Sequence, residues 1–566
     1  MAARFIRFFV LSLMVLFLCR ILTTGISAQA DEIPQWSLFE LTLIAEQDYS
    51  NPYNQVSLIA NFSGPAGRQK TIRGFWDGGN SFKVRFNPDI QGTWSYSTFS
   101  VPADAGLTKT GSIQVGQPVT GSRGFLRRDP DSPYHFKFDN NQHFLMFGTT
   151  YYSLILKALD NDNWAEAVDQ IGKYGINKVR LLVYPWGKTK YPDSEPFSDQ
   201  EHDRLNLSHW QKLDQVINYL DTKGIIADLI IFADSERQYT GTWEKEARYV
   251  RYVISRYAAY PNVIWCLCNE WEFAQSDTDG YADKDFWDQV GNLIKSEDPW
   301  MTESGAYRLL SIHNKNQGEV PFKFFDSGWP THVCLQHGFN DGDQAGFFAV
   351  TNNWGHSLPV VIDEYGYIGN DWGISRDDAR RGIWATYLAG GYATTGDFHR
   401  QDGSLANPYE EWTDACWNCG DWYDAVPEYR DIKYLTDFWN SIENGYWQMN
   451  RQDSLITSGE RIYATGTNGQ EYVIYAASGG SLSLRLPAGE FRFFRYNPRD
   501  GSTTQVEDLT GDGIRQLDLP DNQDWVLHLI LIKPTFLQVL SSWLTTFFDQ
   551  NNDGKVNGLD FCRLIR

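Results

Sequence analysis

The stretch VIWCLCNEWEF, residues 263–273, runs from six mostly apolar residues, Val263 to Cys268, straight into an Asn-Glu pair beside aromatic rings. An unpaired buried carboxylate costs several kcal/mol or is neutralised by a shifted pKa, so Glu270 either faces solvent or has a task. The apolar run itself reads as a strand.

Similar runs lie on both sides of it: FLMFG from 144, NKVRLLVY from 177, IIADLIIF from 225, WMTESG from 300, HVCLQH from 332, PVVID from 359 and YATTGD from 392. Between most of them lie amphipathic helical patterns such as NWAEAVDQIGKYG, SHWQKLDQVINYLDTKG, KDFWDQVGNLIKSED and SRDDARRGIWATYLAGG. Eight strand-then-helix units over residues 134–443 predict an α/β fold, a parallel (β/α)8 TIM barrel. The helix between the fifth and sixth units is the weakest in pattern. A doubly wound open sheet is the alternative, but the glycine-rich phosphate turn often found there is missing after the first strand.

The flanks differ. Residues 31–118 alternate in short runs, with a hairpin signal at Asp77-Gly78-Gly79-Asn80, and predict an N-terminal β-sandwich joined to the barrel by a linker near 116–133. Its default role is to brace the barrel. Residues 444–534 return to short strands and predict a C-terminal β-sandwich, and 535–566 give a helical run followed by DQNNDGKVNGLD.

At 566 residues, with 15% aromatics and 22 Trp, the chain is a folded protein of several domains. Trp and Tyr faces stack on sugar rings, although core filling is the default for any single ring. Residues 1–30 combine Arg4, Arg7, an apolar run from Phe8 to Cys19 and Ala28-Gln29-Ala30, which predicts an export signal and a secreted protein. Arg20 interrupts a run already short for a membrane span, so no membrane association is expected after cleavage. Loss of the three arginines deepens a formal charge of -22, which argues against nucleic acid as a partner. Among seven cysteines, Cys266, Cys268 and Cys334 read as small core residues, while Cys416 and Cys419 in CWNC are either a local disulfide or free thiols.

In a (β/α)8 barrel the active site lies at the C-terminal strand ends. Glu270 ends the fourth strand and Glu364 the seventh, in LPVVIDEYGY; each precedes an aromatic residue, Trp271 or Tyr365, and the two strands nearly oppose each other. Retaining glycoside cleavage needs an acid to protonate the leaving oxygen and a carboxylate roughly 5–5.5 Å away to attack the anomeric carbon. Arg180 is the candidate cation for keeping Glu364 charged, and Asp363 is read as structural, on the opposite strand face. Tyr151, Trp186, Trp271, Tyr365 and Trp372 follow strand ends and are candidates for lining sugar subsites.

NEW after the fourth strand and DEYG after the seventh resemble the clan A glycoside hydrolases. The wider resemblance is to the apiosidase-like members, carried by Trp36, Phe39-Glu40-Leu41, Asn51-Pro52, GFWDGG at 74–79, VRFNPD at 84–89, Gly92, Trp94 and Tyr96, and downstream by Tyr472 to Tyr475, Leu486-Pro487 and Trp525-Val526-Leu527. That resemblance implies Glu270 as acid/base, Glu364 as nucleophile, Asn269 as ligand of the neighbouring sugar hydroxyl, and Arg180 and His337 as partners of the nucleophile. It implies a polysaccharide or oligosaccharide substrate from plant or algal walls, and a C-terminal β-domain of collagen-binding type. Two departures stand out: the eighth strand lacks the tryptophan that commonly floors the site, and the first ends in GTTYY.

No cofactor is expected for catalysis. In the tail, Asp549, Asn551, Asp553, Gly554, Lys555, Asn557 and Asp560 match an EF-hand-type calcium loop, with Lys555 offering its carbonyl. The pattern resembles one dockerin repeat; dockerins use two, so a local calcium clip and docking to a scaffold both stay open. The rival to a hydrolase is a non-catalytic carbohydrate-binding or adhesion protein on a degenerate barrel. A lyase would want a Tyr, His or Lys base beside a uronate neutraliser, which the paired glutamates do not supply.

Overall fold

The computed structural model describes residues 32–533, apart from 153, 161–162, 186–194, 234–237, 304, 316–321, 337–341, 366, 369–374 and 398–427. The predicted export signal at 1–30, the tail at 535–566 with its calcium loop, Cys416 and Cys419 lie outside the described residues.

Eight parallel strands make the central sheet: β1 (Phe147–Thr150), β2 (Lys178–Leu182), β3 (Ile226–Phe232), β4 (Val263–Cys268), β5 (Leu310–Ser311), β6 (Val333–Gln336), β7 (Val360–Glu364) and β8 (Tyr392–Asp397). They neighbour one another in the order β5-β4-β3-β2-β1-β8-β7-β6. A parallel bridge from His313 to Cys334 joins the two ends of that path, giving a TIM-like barrel. Helices Leu207–Thr222, Trp243–Tyr257, Lys284–Glu297 and Arg376–Leu388 alternate with the strands. β4 is buried at all six positions, which explains its unbroken apolar run: one face meets the barrel interior and the other meets helices.

One strand differs from expectation. WMTESG does not enter the barrel; Thr302–Glu303 instead pairs antiparallel with Ala306–Tyr307 in a separate hairpin. The fifth strand is Leu310–Ser311, in register with Trp265 and Cys266 of β4. Arg308 explains the change. Its fully buried guanidinium donates to the carbonyls of Val263 (2.9 Å) and Tyr260 (2.8 Å) and pairs with Asp298 (3.0 Å), tying the chain to the edge of β4 just before Leu310.

The N-terminal unit has a five-stranded and a three-stranded sheet, with the expected hairpin closing at Gly78 and Ser81. Its core, including Phe62, Phe86 and Trp94, is continuous with that of the barrel. A buried ion cluster crosses the same boundary. Arg85 pairs with Glu40 (2.9 Å) in its own sheet and with Asp214 (2.5 Å) on a barrel helix. Arg256, on the next barrel helix, pairs with Asp214 (2.7 Å) and reaches back to Asp77 (2.9 Å). The C-terminal unit is also built of two sheets, with a core of its own around Ile474, Leu484 and Phe493. It is tied to helix Arg376–Leu388 by the buried pair Arg380–Asp524 (2.9 Å).

Candidate active site

The sheet register brings the polar residues together. Arg180 on β2 pairs with Thr150 on one side and Asp228 of β3 on the other, so its fully buried guanidinium enters the barrel interior. Nη1 donates to the hydroxyl of Tyr152 (3.1 Å) and to the carbonyl of Asp363 (3.0 Å), while Nη2 donates to Oδ1 of Asn269 (3.2 Å). Tyr152 in turn donates to Oε2 of Glu364 at 2.7 Å. It also lies 3.3 Å from Oδ1 of Asn269, but a hydroxyl carries one proton and the shorter contact is to the carboxylate. Arg180 itself stays 4.0 Å from Glu364, so it acts on that carboxylate chiefly through Tyr152.

The Asn269 amide faces Oε2 of Glu270 at 3.5 Å, so a single asparagine and a single tyrosine separate the two predicted catalytic carboxylates. Glu270 is half-buried and has left-handed backbone angles, φ 49° and ψ 52°, where it caps helix Trp271–Asp277. For a residue with a Cβ this conformation is costly, and such strain concentrates at functional sites. Three contacts to His313 hold the turn. The His313 amide donates to the Cys268 carbonyl (3.1 Å), its carbonyl accepts from the Trp271 amide (3.1 Å), and its Nδ1 accepts from the Glu270 amide (3.4 Å).

Beneath this layer, Lys178 pairs with Asp363 and lies 3.4 Å from Asp228. Asp363 is therefore not on the opposite face from the site. The pairing of β6 with β7 skips a residue, from Leu335–Ile362 to Gln336–Glu364, and this irregularity lets Asp363 and Glu364 both address the interior. Lys178 and Arg180 together hold Asp363 well below the usual carboxylate range against the opposing effect of burial. Asp228 is pushed up, first by burial and then by the neighbouring Asp363. Arg180 stays charged: Tyr152 and Asp363 raise its pKa although burial opposes them. His313 is held neutral by burial and by the nearby Arg180 cation.

Of the aromatic candidates, Trp271 is buried, edge-on to Phe324 with centroids 5.2 Å apart and with Lys323 over its face at 5.3 Å. Tyr151 and Tyr365 do not line a surface, which corrects that expectation. Both are fully buried; the Tyr151 amide donates to the Arg180 carbonyl (2.8 Å), and the Tyr365 hydroxyl donates to the Gly342 carbonyl (2.6 Å). Trp186, Trp372 and His337 lie outside the described residues. Among the described residues no group of three or more His, Cys, Asp and Glu could hold a metal.

Two residues of the site are not marked by the sequence pattern. Tyr152 is two positions past Thr150, the register partner of Arg180, so strand parity would select it over Tyr151. His313 follows the short β5, and only a correct placement of that strand brings it to a barrel end.

A TIM-like barrel with two glutamates at facing strand ends is the architecture of glycoside hydrolases. The chain belongs to the apiosidase-like family: residues 131–453 match the family described as apiosidase-like, catalytic domain. Residues 32–101 match a domain of unknown function, DUF5060, and residues 452–530 match the family described as a putative collagen-binding domain of a collagenase. Among solved structures, a protein from Bacteroides vulgatus ATCC 8482 described as a putative glycoside hydrolase aligns with a TM-score of 0.71 at 22% identity, covering 89% of this chain and 100% of that one. A family 5 glycoside hydrolase from the same organism aligns with a TM-score of 0.55 at 17% identity, covering 74% and 97%. At these identities the likeness is one of fold. No curated protein matches the chain in sequence.

Proposed function

We propose that the chain is a secreted, retaining glycoside hydrolase that cleaves glycosidic bonds in plant or algal cell-wall polysaccharides or their side chains. Glu364 is the nucleophile and Glu270 the acid/base. The observation that carries this reading is the 2.7 Å bond from Tyr152 to Oε2 of Glu364, backed by a buried arginine. It fixes one carboxylate oxygen and suits the other, Oε1, for attack on the anomeric carbon. Glu270, on the strained turn across the site, protonates the departing oxygen as the C–O bond breaks. It then takes a proton from the water that displaces Glu364 from the glycosyl-enzyme. Asn269, oriented by Arg180, binds the hydroxyl next to the reacting carbon. The same reading gives the tail loop at 549–560 a calcium ion, on the strength of its spacing alone; calorimetric titration with calcium and with an Asp553→Ala variant tests that part.

The decisive experiment screens the pure protein and its Glu364→Gln and Glu270→Ala variants against aryl glycosides and wall polysaccharides. The reading expects Glu364→Gln to be inactive. It expects Glu270→Ala to recover turnover of an activated aryl glycoside when azide is added, with release of a glycosyl azide of retained configuration. Full activity in Glu364→Gln refutes the nucleophile, and tight glycan binding without turnover by the native protein selects the non-catalytic rival.

A further inference from the structure

Resting on the glutamate assignment above, we propose that His313 is a positioning residue for the nucleophile, its Nε2–H donating to Glu364 as the transition state forms. His313 is fully buried at the seam where β5 meets β6, bridged to Cys334. The backbone amide of Glu270 can only donate, so Nδ1, which receives it at 3.4 Å, carries no proton. The neutral ring therefore has its single proton on Nε2. That nitrogen has no hydrogen-bond partner among the described residues and lies 3.8 Å from Oε2 of Glu364, the oxygen that Tyr152 already holds.

A buried donor left unpaired is expensive, and its direction identifies what completes it. The charged groups bearing on the ring are Arg180 and Lys178, which oppose protonation, together with Glu364 and Asp363, which favour it. The contact is too long for a hydrogen bond in the resting state. Catalytic hydrogen bonds are often long before substrate binds and tighten only in the complex. When Glu364 swings toward the anomeric carbon, a small shift of Oε2 satisfies the orphan proton. The same ring braces the left-handed turn of Glu270, so one side chain sets the spacing of acid and nucleophile.

The test separates those two actions by leaving group. In His313→Asn the amide oxygen takes the place of Nδ1 and still receives the Glu270 amide, but nothing replaces Nε2–H. The probes are the 2,4-dinitrophenyl and methyl glycosides of whichever sugar the native protein hydrolyses. An activated dinitrophenyl group needs no protonation. We expect kcat to fall about 10- to 100-fold on both probes with KM within about threefold, the signature of a contact made only in the transition state. His313→Gln, whose amide nitrogen reaches the Nε2 position, recovers most of that loss on the activated probe. A defect confined to the methyl glycoside would mean that His313 serves only Glu270, and it overturns the proposal; so does unchanged kcat in a folded His313→Asn. Should His313→Asn fail to fold, folded His313→Gln decides: near-native turnover of the activated probe supports the proposal, and a loss beyond about 100-fold overturns it. Failure of the underlying assignment looks different. It shows as an active Glu364→Gln, or as no hydrolysis of any glycoside by the native protein.

Discussion

Replacing Tyr152 by Phe removes one oxygen atom and tests how Glu364 is held. The ring stays in place among Leu182, Ile230, Ala233 and Cys266. Arg180 is not orphaned either, because it keeps the Asp363 carbonyl at 3.0 Å and Asn269 at 3.2 Å. Thermal stability should therefore fall by no more than the roughly 1.5–3 kcal/mol of one hydrogen bond to a carboxylate. What is lost is a 2.7 Å hydrogen bond to a carboxylate and the route by which the buried guanidinium reaches it. Hydrogen bonds to charged groups contribute about 1.5–3 kcal/mol, which converts to a roughly 10- to 150-fold fall in kcat/KM. The assay is steady-state hydrolysis of an activated aryl glycoside, with a melting curve measured on the same sample. A fall of less than threefold in a protein that melts normally would show that Tyr152 does not orient the nucleophile, and that the Arg180–Tyr152 route is incidental.

Two further outcomes follow from packing and burial. At Gly382 an added Cβ would land on the Tyr365 hydroxyl, so Gly382→Ala should lose ~1–3 kcal/mol of stability. Because Tyr365 follows Glu364 directly, it should also lose activity, and a melting point and kcat equal to the native values would contradict this. Glu246 is fully buried and accepts from the Thr240 amide (2.6 Å) and hydroxyl (2.9 Å), yet burial still raises its pKa to about 7. The folded state thus binds more protons than the unfolded one between about pH 4.5 and 7, and stability falls as pH rises through that window. Glu246→Gln removes the effect, so the difference between variant and native melting points should widen from pH 5 to pH 8; parallel curves would count against it.

The sequence is most legible where one physical demand dominates. β4 can be located to the residue, because an apolar run closed by polar residues is what a barrel strand facing both core and site requires. β5 is not legible in the same way: it is two residues long and is placed by Arg308, whose partners are carbonyls distant in sequence. The two glutamates, Asn269 and Arg180 stand out through strand ends and resemblance. Tyr152 and His313 do not, since their roles depend on hydrogen bonds across the barrel rather than on local pattern. Asp363 shows the same limit: strict alternation sends it away from the site, and a register skip that no local signal marks brings it back.

The ion cluster at the N-terminal boundary also bears on how such chains are inherited. Arg256 of the barrel shares Asp214 with Arg85 and also reaches Asp77, so each unit supplies charged partners to the other. A recombination that swapped in an unrelated sandwich would lose both pairs that cross the boundary, Arg85–Asp214 and Arg256–Asp77, and leave Arg256 with Asp214 alone. Exchange of the sandwich alone therefore costs the chain its cross-boundary pairs and shared core, whereas a domain tethered by a linker can be shuffled without such a loss.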